Sequence, residues 1–138
     1  MPYVIRSMRP DNQKPLVDHS TGDALGIREE DVKPVDGVVH PATGGMSVVP
    51  TIADVPKHLI PVKLKGKYPG ARSYRKDILP WQLGQGPFAN GPLFPRLDLR
   101  LDPKNAKHGL VEPAESMLLS DFRVAVETTC DCWVKMEW

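Results

Sequence analysis

The sequence predicts an α+β domain of short strands with one or two helices and long ordered loops. Three observations carry that prediction. Proline supplies 15 of 138 residues, about 11% against a typical ~5%. Each proline inside a helix costs about 3 kcal/mol, so only 16–33 and 114–138 run proline-free for long enough to hold a real helix. Short apolar pairs and triplets recur between turn signals. Leu97, Leu99 and Leu101 alternate with Asp98, Arg100 and Asp102, the period-two pattern of a half-buried strand.

Taken in order, Val4-Ile5-Arg6 reads as a first short strand. Val38-Val39 and Met46 to Val49 are two more, separated by Pro41-Ala42-Thr43-Gly44-Gly45, a strong turn signal. His58 to Leu64 reads as a weaker strand broken by Pro61. Tyr68 to Pro95 shows little periodicity and is expected to cover a sheet as a long ordered loop. The alternating Leu97–Asp102 strand follows, and then, after a turn, a strand from His108 to Glu112 that stops at Pro113. Near the C-terminus two periods compete: Phe122, Val126, Thr129 and Trp133 share a helical face, while Val124 through Trp138 also alternates as a strand. With Ser120 as N-cap and Asp121 beside the helix dipole, the reading is a helix over 119–130 followed by a strand or extended tail. One domain is expected over 1–138.

Composition excludes several classes. Lysine and arginine number 18 against 17 acids, a net charge of +1, so no whole-molecule field argues for nucleic acid or an anionic membrane. No apolar run approaches the roughly 20 residues of a spanning helix. The first eight residues lack the basic and apolar regions of a secretory leader. Two cysteines, Cys130 and Cys132, make no disulfide framework and no metal-ligand spacing, and no metal is expected.

Few residues stand out as candidates for chemistry. In Thr43-Gly44-Gly45-Met46-Ser47 the paired glycines let a ligand approach the main chain closely, with the Ser47 hydroxyl entering a strand; the plainer alternative is a glycine hairpin with an exposed serine. In His108-Gly109-Leu110-Val111-Glu112-Pro113, residues 108, 110 and 112 share a strand face, which sets His108 and Glu112 about 13 Å apart along one cleft wall. The plainer alternative is a surface histidine at a turn and a solvated glutamate. Arg6 offers a guanidinium fork suited to phosphate or carboxylate, or is an exposed strand charge. Residues 57–76 hold Lys57, Lys63, Lys65, Lys67, Arg72, Arg75 and Lys76 and no acid, interleaved with Tyr68 and Tyr74. That stretch reads as a solvated or partner-docking face, with base stacking on the two rings as the weaker alternative.

The two motifs together, Thr43-Gly44-Gly45-Met46-Ser47-Val48 and His108-Gly109-Leu110-Val111-Glu112-Pro113-Ala114 with Met117 beyond, carry a resemblance. The chain resembles the small Tse-two effectors of type VI secretion and their relatives, whose domain is similar to ADP-ribosyltransferases, from Val4 through Trp133. The resemblance implies two small packed β-sheets with a cleft that accepts NAD as co-substrate. Arg6 matches the first-strand arginine expected to hold a phosphate. Thr43, Gly44 and Gly45 are expected along the dinucleotide, and Ser47 is expected to order the cleft. His108 matches the histidine that opens the late strand. Met46 stands where some relatives have threonine. Glu112 enters from chemistry and not from the family: breaking the bond from ribose to nicotinamide develops oxocarbenium character, which a carboxylate stabilises. The expected activity is that of an NAD-dependent toxin, ADP-ribosyltransferase or NAD-cleaving. Its partners are then an unknown target molecule and an immunity or antitoxin protein, with no membrane and with nucleic acid disfavoured. Its place is the cytoplasm, reached in a target cell without a cleaved signal peptide. The alternative is a non-catalytic binding module of the same fold that uses the basic 57–76 face.

Overall fold

A computed structural model describes residues 1–138. Both α-helices fall in the two proline-free windows, and everything between them is strands, turns and loops, as the proline distribution demands. The order is β1 (Val4–Met8), β2 (Pro10–Asp11), β3 (Lys14–Pro15), α1 (Glu29–Val32), β4 (Val38–Val39) and β5 (Met46–Val48). Three 3-10 turns follow at Ile52–Asp54, Lys57–Leu59 and Val62–Leu64. Then come β6 (Leu79–Leu83), β7 (Gly91–Phe94), β8 (Leu97–Asp102), β9 (Asn105–Pro113), β10 (Met117–Leu118), α2 (Leu119–Glu127), a 3-10 turn at Cys130–Cys132 and β11 (Val134–Lys135).

Two small antiparallel sheets make the frame: β1-β6-β11, and β5-β9-β8-β7. Backbone joins them where Ile5 and Val49 exchange hydrogen bonds of 2.8 and 2.9 Å, and side chains pack them together elsewhere. β1 is buried along its whole length, so it serves two cores. Val4 and Met8 enter the main cluster with Trp81, Leu83, Leu97, Leu99, Val111 and, from α2, Phe122 and Val126. Ile5, on the opposite face, enters a smaller one with Val49, Ile60 and Tyr68.

Several expectations need correction. His58 to Leu64 is not a strand but two 3-10 turns, because Pro56 and Pro61, at φ −52° and −53°, each start a new turn. The 68–95 segment is not one loop: it contributes β6 and β7. Pro80 reads as a strand breaker, yet its carbonyl still accepts the Met136 N–H at 2.8 Å, and the fully buried Trp81 beside it holds the strand in place. Ser120 is not the N-cap of α2, since the helix begins one residue earlier, at Leu119, and ends at Glu127 before a short β11. Tyr68 is not available to stack bases: it is buried edge-on to Trp138 at 6.1 Å between centroids, with Lys57 and Lys67 over its ring. Tyr74 is 88% exposed.

The turn at 41–45 is not a hairpin either. β4 pairs with β10 and β5 with β9, so the glycines carry the chain from one sheet to another. A Cβ on Gly44 (φ +138°) would sit 1.9 Å from the Asp31 carbonyl oxygen, and one on Gly45 would sit 2.0 Å from that of Val111. Both are backbone atoms that cannot swing aside. Gly45→Ala is therefore expected to cost about 1–3 kcal/mol or more through overpacking, a fall in melting temperature of roughly 5–10 °C. Gly66→Ala, with nothing within 4 Å of its Cβ, is expected to leave the melting curve unchanged. Equal curves for the two variants would overturn this packing account.

Candidate functional site

Arg6 sits at the centre of β1, on the strand face that carries Val4 and Met8. It is only 7% exposed. Its Nε donates to Ala24 O at 3.1 Å, Nη2 to Ala24 O at 3.1 Å and Gly22 O at 3.0 Å, and Nη1 to Ser47 O at 2.8 Å. Four of the five guanidinium N–H groups are thus spent on the protein's own carbonyls. Burial, and then the neighbouring Arg28, push the Arg6 pKa down to about 10, against the pull of Asp31 and Asp23. The expected phosphate holder is first of all a structural tie, and one N–H remains for anything else.

That tie shapes a cleft of about 440 Å³ lined by Arg6, Arg28, Ser47, His58, Arg75 and Leu110 among others, within the range of small-molecule sites. Its charged lining is three guanidiniums, Arg6, Arg28 and Arg75, against two carboxylates, Asp23 and Asp31. The outer arginines are held in place: Arg28 Nε lies 2.8 Å from Asp31, and Arg75 Nε lies 2.9 Å from Asp23, which Arg9 also engages at 3.1 Å. Burial, with the positive fields of Arg72 and Arg28, lowers the His58 pKa, so this ring lines the cleft uncharged at neutral pH.

Ser47 lies opposite Leu110 in the β5–β9 ladder, and strand alternation sets His108 on the same face. The Ser47 Oγ and His108 Nε2 are 3.1 Å apart. Arg6 and Ser47 line one hollow and His108 does not; Ser47 touches Arg6 through its backbone carbonyl and His108 through its hydroxyl. His108 reaches the cleft through Ser47.

The remaining candidates have other duties. Glu112 is 2% exposed and lies outside the cleft lining. Its two carboxylate oxygens receive Arg100 Nε at 2.9 and 3.0 Å and the Ala42 backbone N–H at 2.8 Å. The strong Glu112 hydrogen bond raises the Arg100 pKa. A carboxylate locked in this way pins the 41–45 turn to the sheet, and, against the expectation from sequence, it does not share the cleft with Ser47. Thr43 is exposed, and its hydroxyl donates to His40 O at 2.6 Å. Gly44 packs on the end of α1; of the glycine pair, Gly45 alone lines the cleft. The close approach that the glycines permit is that of the chain to itself.

Arg28, Arg75, His58, Asp23 and Asp31 carried no motif in the sequence. Arg28 beside Glu29-Glu30-Asp31, and Arg75 at the end of the basic run, were the only traces, and neither marks a cleft. No group of three or more His, Cys, Asp or Glu side chains is disposed to hold a metal ion, and no helix is long and apolar enough to cross a membrane. No protein-family model, curated protein or solved structure matches the chain.

Two outcomes follow from this geometry. Arg6→Ala strips the donors from three carbonyls and is expected to lose about 3 kcal/mol or more in urea unfolding, with Arg6→Lys intermediate; a loss below ~1 kcal/mol would contradict the tie. Because the His58 pKa is lower folded than unfolded, the unfolded chain binds more protons as pH falls through about 6.5, so stability drops there. The fall in melting temperature from pH 7.5 to 5.5 is expected to be shallower in His58→Gln than in the parent protein, and parallel profiles would refute it.

Proposed function

We propose that the cleft binds NAD as a substrate and that the chain breaks its nicotinamide–ribose bond, passing ADP-ribose to a target or to water. One observation carries the reading: the hydrogen-bonded Ser47–His108 pair stands at the edge of a cleft floored by a buried arginine. The donor set suits such a ligand. Three guanidiniums against two carboxylates leave a net positive hollow for a pyrophosphate, with Arg28 and Arg75 as its exposed cations. The hydroxyl and imidazole suit a ribose or carboxamide edge. The toxin-effector resemblance carried by residues 43–48 and 108–117 points the same way, toward a small toxin acting on a cytoplasmic target.

In this reading the C1′–N bond breaks, and nicotinamide leaves with the bonding pair. The acceptor's nucleophilic atom forms the new bond at C1′ and releases its proton, which the Ser47–His108 pair is placed to receive. Arg6 supplies charge and holds Ser47 in position. Glu112 serves the scaffold and has no part in the step. A second reading, a non-catalytic module docking an acidic partner, draws on the 57–76 segment, where Lys63, Lys65, Arg72 and Lys76 make no ion pair within the protein.

Purified protein incubated with NAD is expected to release nicotinamide and to melt higher when NAD is present. Ser47→Ala and His108→Ala are expected to cut release by about 100-fold or more, with melting temperatures near that of the parent. Glu112→Ala, in contrast, is expected to lower the melting temperature. An inert parent protein whose melting temperature ignores NAD would sink the enzymatic reading. Loss of activity in cells on charge reversal at Lys63, Lys65, Arg72 and Lys76, with Ser47→Ala silent, would favour the docking module.

A further inference from the structure

The β8–β9 hairpin contains an irregularity near its tip. The two strands pair without a break from Leu97↔Pro113 to Leu101↔Gly109, and the register then shifts so that Asp102 pairs with Asn105. Had the register continued, Asp102 would face His108. The extra residues, Ala106 to His108, bulge out beside the Asp102-Pro103-Lys104 turn. Bulges of this kind re-aim side chains and favour the neighbourhood of sites.

The turn fixes the Asp102 carboxylate. Its Oδ1 accepts the Lys104 backbone N–H at 2.8 Å, which leaves Oδ2 facing His108 Nδ1 at 3.8 Å. That separation exceeds a direct hydrogen bond, but it is ample for a negative charge to choose between the two neutral forms of the ring. With the proton on Nδ1, a partial positive charge faces the carboxylate, and Nε2 is bare to accept from the Ser47 hydroxyl 3.1 Å away. With the proton on Nε2, the Nδ1 lone pair faces the carboxylate, and the two repel.

We propose that Asp102 is a positioning residue that holds neutral His108 as the Nδ1–H tautomer. The Ser47 proton then points inward to the imidazole, and the Ser47 lone pairs face the cleft. The consequence is a statement of ligand class: Ser47 accepts, so the group it receives is a hydroxyl or an amide N–H, not an anionic or carbonyl oxygen. The kinetic half of this inference rests on the NAD reading; the tautomer half does not.

The test uses 15N-labelled protein at a pH where the imidazoles are neutral, with the His108 signals assigned by their loss in His108→Ala. In the parent protein Nδ1 is expected to be the proton-bearing nitrogen and Nε2 the bare one. Asp102→Asn keeps an oxygen for the Lys104 N–H and turns an NH₂ donor toward Nδ1, so it is expected to invert the tautomer without unfolding the hairpin. The same variant is expected to lower kcat for NAD by about 10-fold or more while KM stays within about two-fold. A parent protein with its proton on Nε2, or a tautomer unmoved by Asp102→Asn, overturns the proposal. An inverted tautomer in a chain inert toward NAD overturns the NAD reading and leaves the role of Asp102 standing. Should Asp102→Asn fail to fold, the parent spectrum alone decides.

Discussion

The buried guanidinium of Arg6 is the interaction on which the rest of the structure depends. It fastens three stretches of chain: the centre of β1, the carbonyls of Gly22 and Ala24, and the carbonyl of Ser47 on β5. The lowered pKa of this group shows what its burial costs, and the dense set of carbonyl acceptors offsets that cost. Arg9 and Arg75 hold the same 22–24 segment through Asp23, so the wall of the hollow is fixed from both sides. Strand address and hydrogen-bond capacity together make one side chain both a fastening and a wall of the cleft.

The second constraint is the β8–β9 hairpin, which separates two jobs along one strand. At its Pro113 end, Arg100 and the Ala42 N–H take the Glu112 carboxylate out of circulation and seat the 41–45 turn. At its Asn105 end, the register shift pairs Asp102 with Asn105 in place of His108, the Asp102 carboxylate still lies 3.8 Å from His108 Nδ1, and β5 delivers Ser47 from the other side. The two ends face the same way because strand side chains alternate with period two. They differ in burial: Glu112 is 2% exposed, whereas the His108 side chain keeps 30% of its surface accessible. The accessible end presents a polar pair, Ser47 and His108, and the closed end fixes the 41–45 turn.

The basic segment illustrates how packing redistributes a sequence pattern. Its run of lysines and arginines looks uniform in order, yet Tyr68 turns inward against Trp138 and takes Lys57 and Lys67 over its ring, and Arg75 is drawn to Asp23 in the cleft. What stays free is a smaller set around Lys63, Lys65, Arg72 and Lys76, beside the exposed Tyr74. A stretch that reads as one face is divided among a core, a cleft and a surface.

By itself, the sequence determined the class and the local periods. Proline exclusion confined helices to two windows, and leucine alternation marked β8. Two short motifs singled out Ser47 and His108, because spacing along a strand or helix is a local property. It also marked Arg6 and Glu112 as chemically able groups, without showing what they would be joined to. Only the tertiary structure decided that Arg6 meets carbonyls from positions 16 to 41 residues away, and that Glu112 is consumed by Arg100. The same holds for the strand that runs through Pro80 and for the register shift at Asp102. Those outcomes rest on contacts between residues distant in the chain, whose partners are chosen by burial and by the need to satisfy every buried polar group, a demand that no local pattern records.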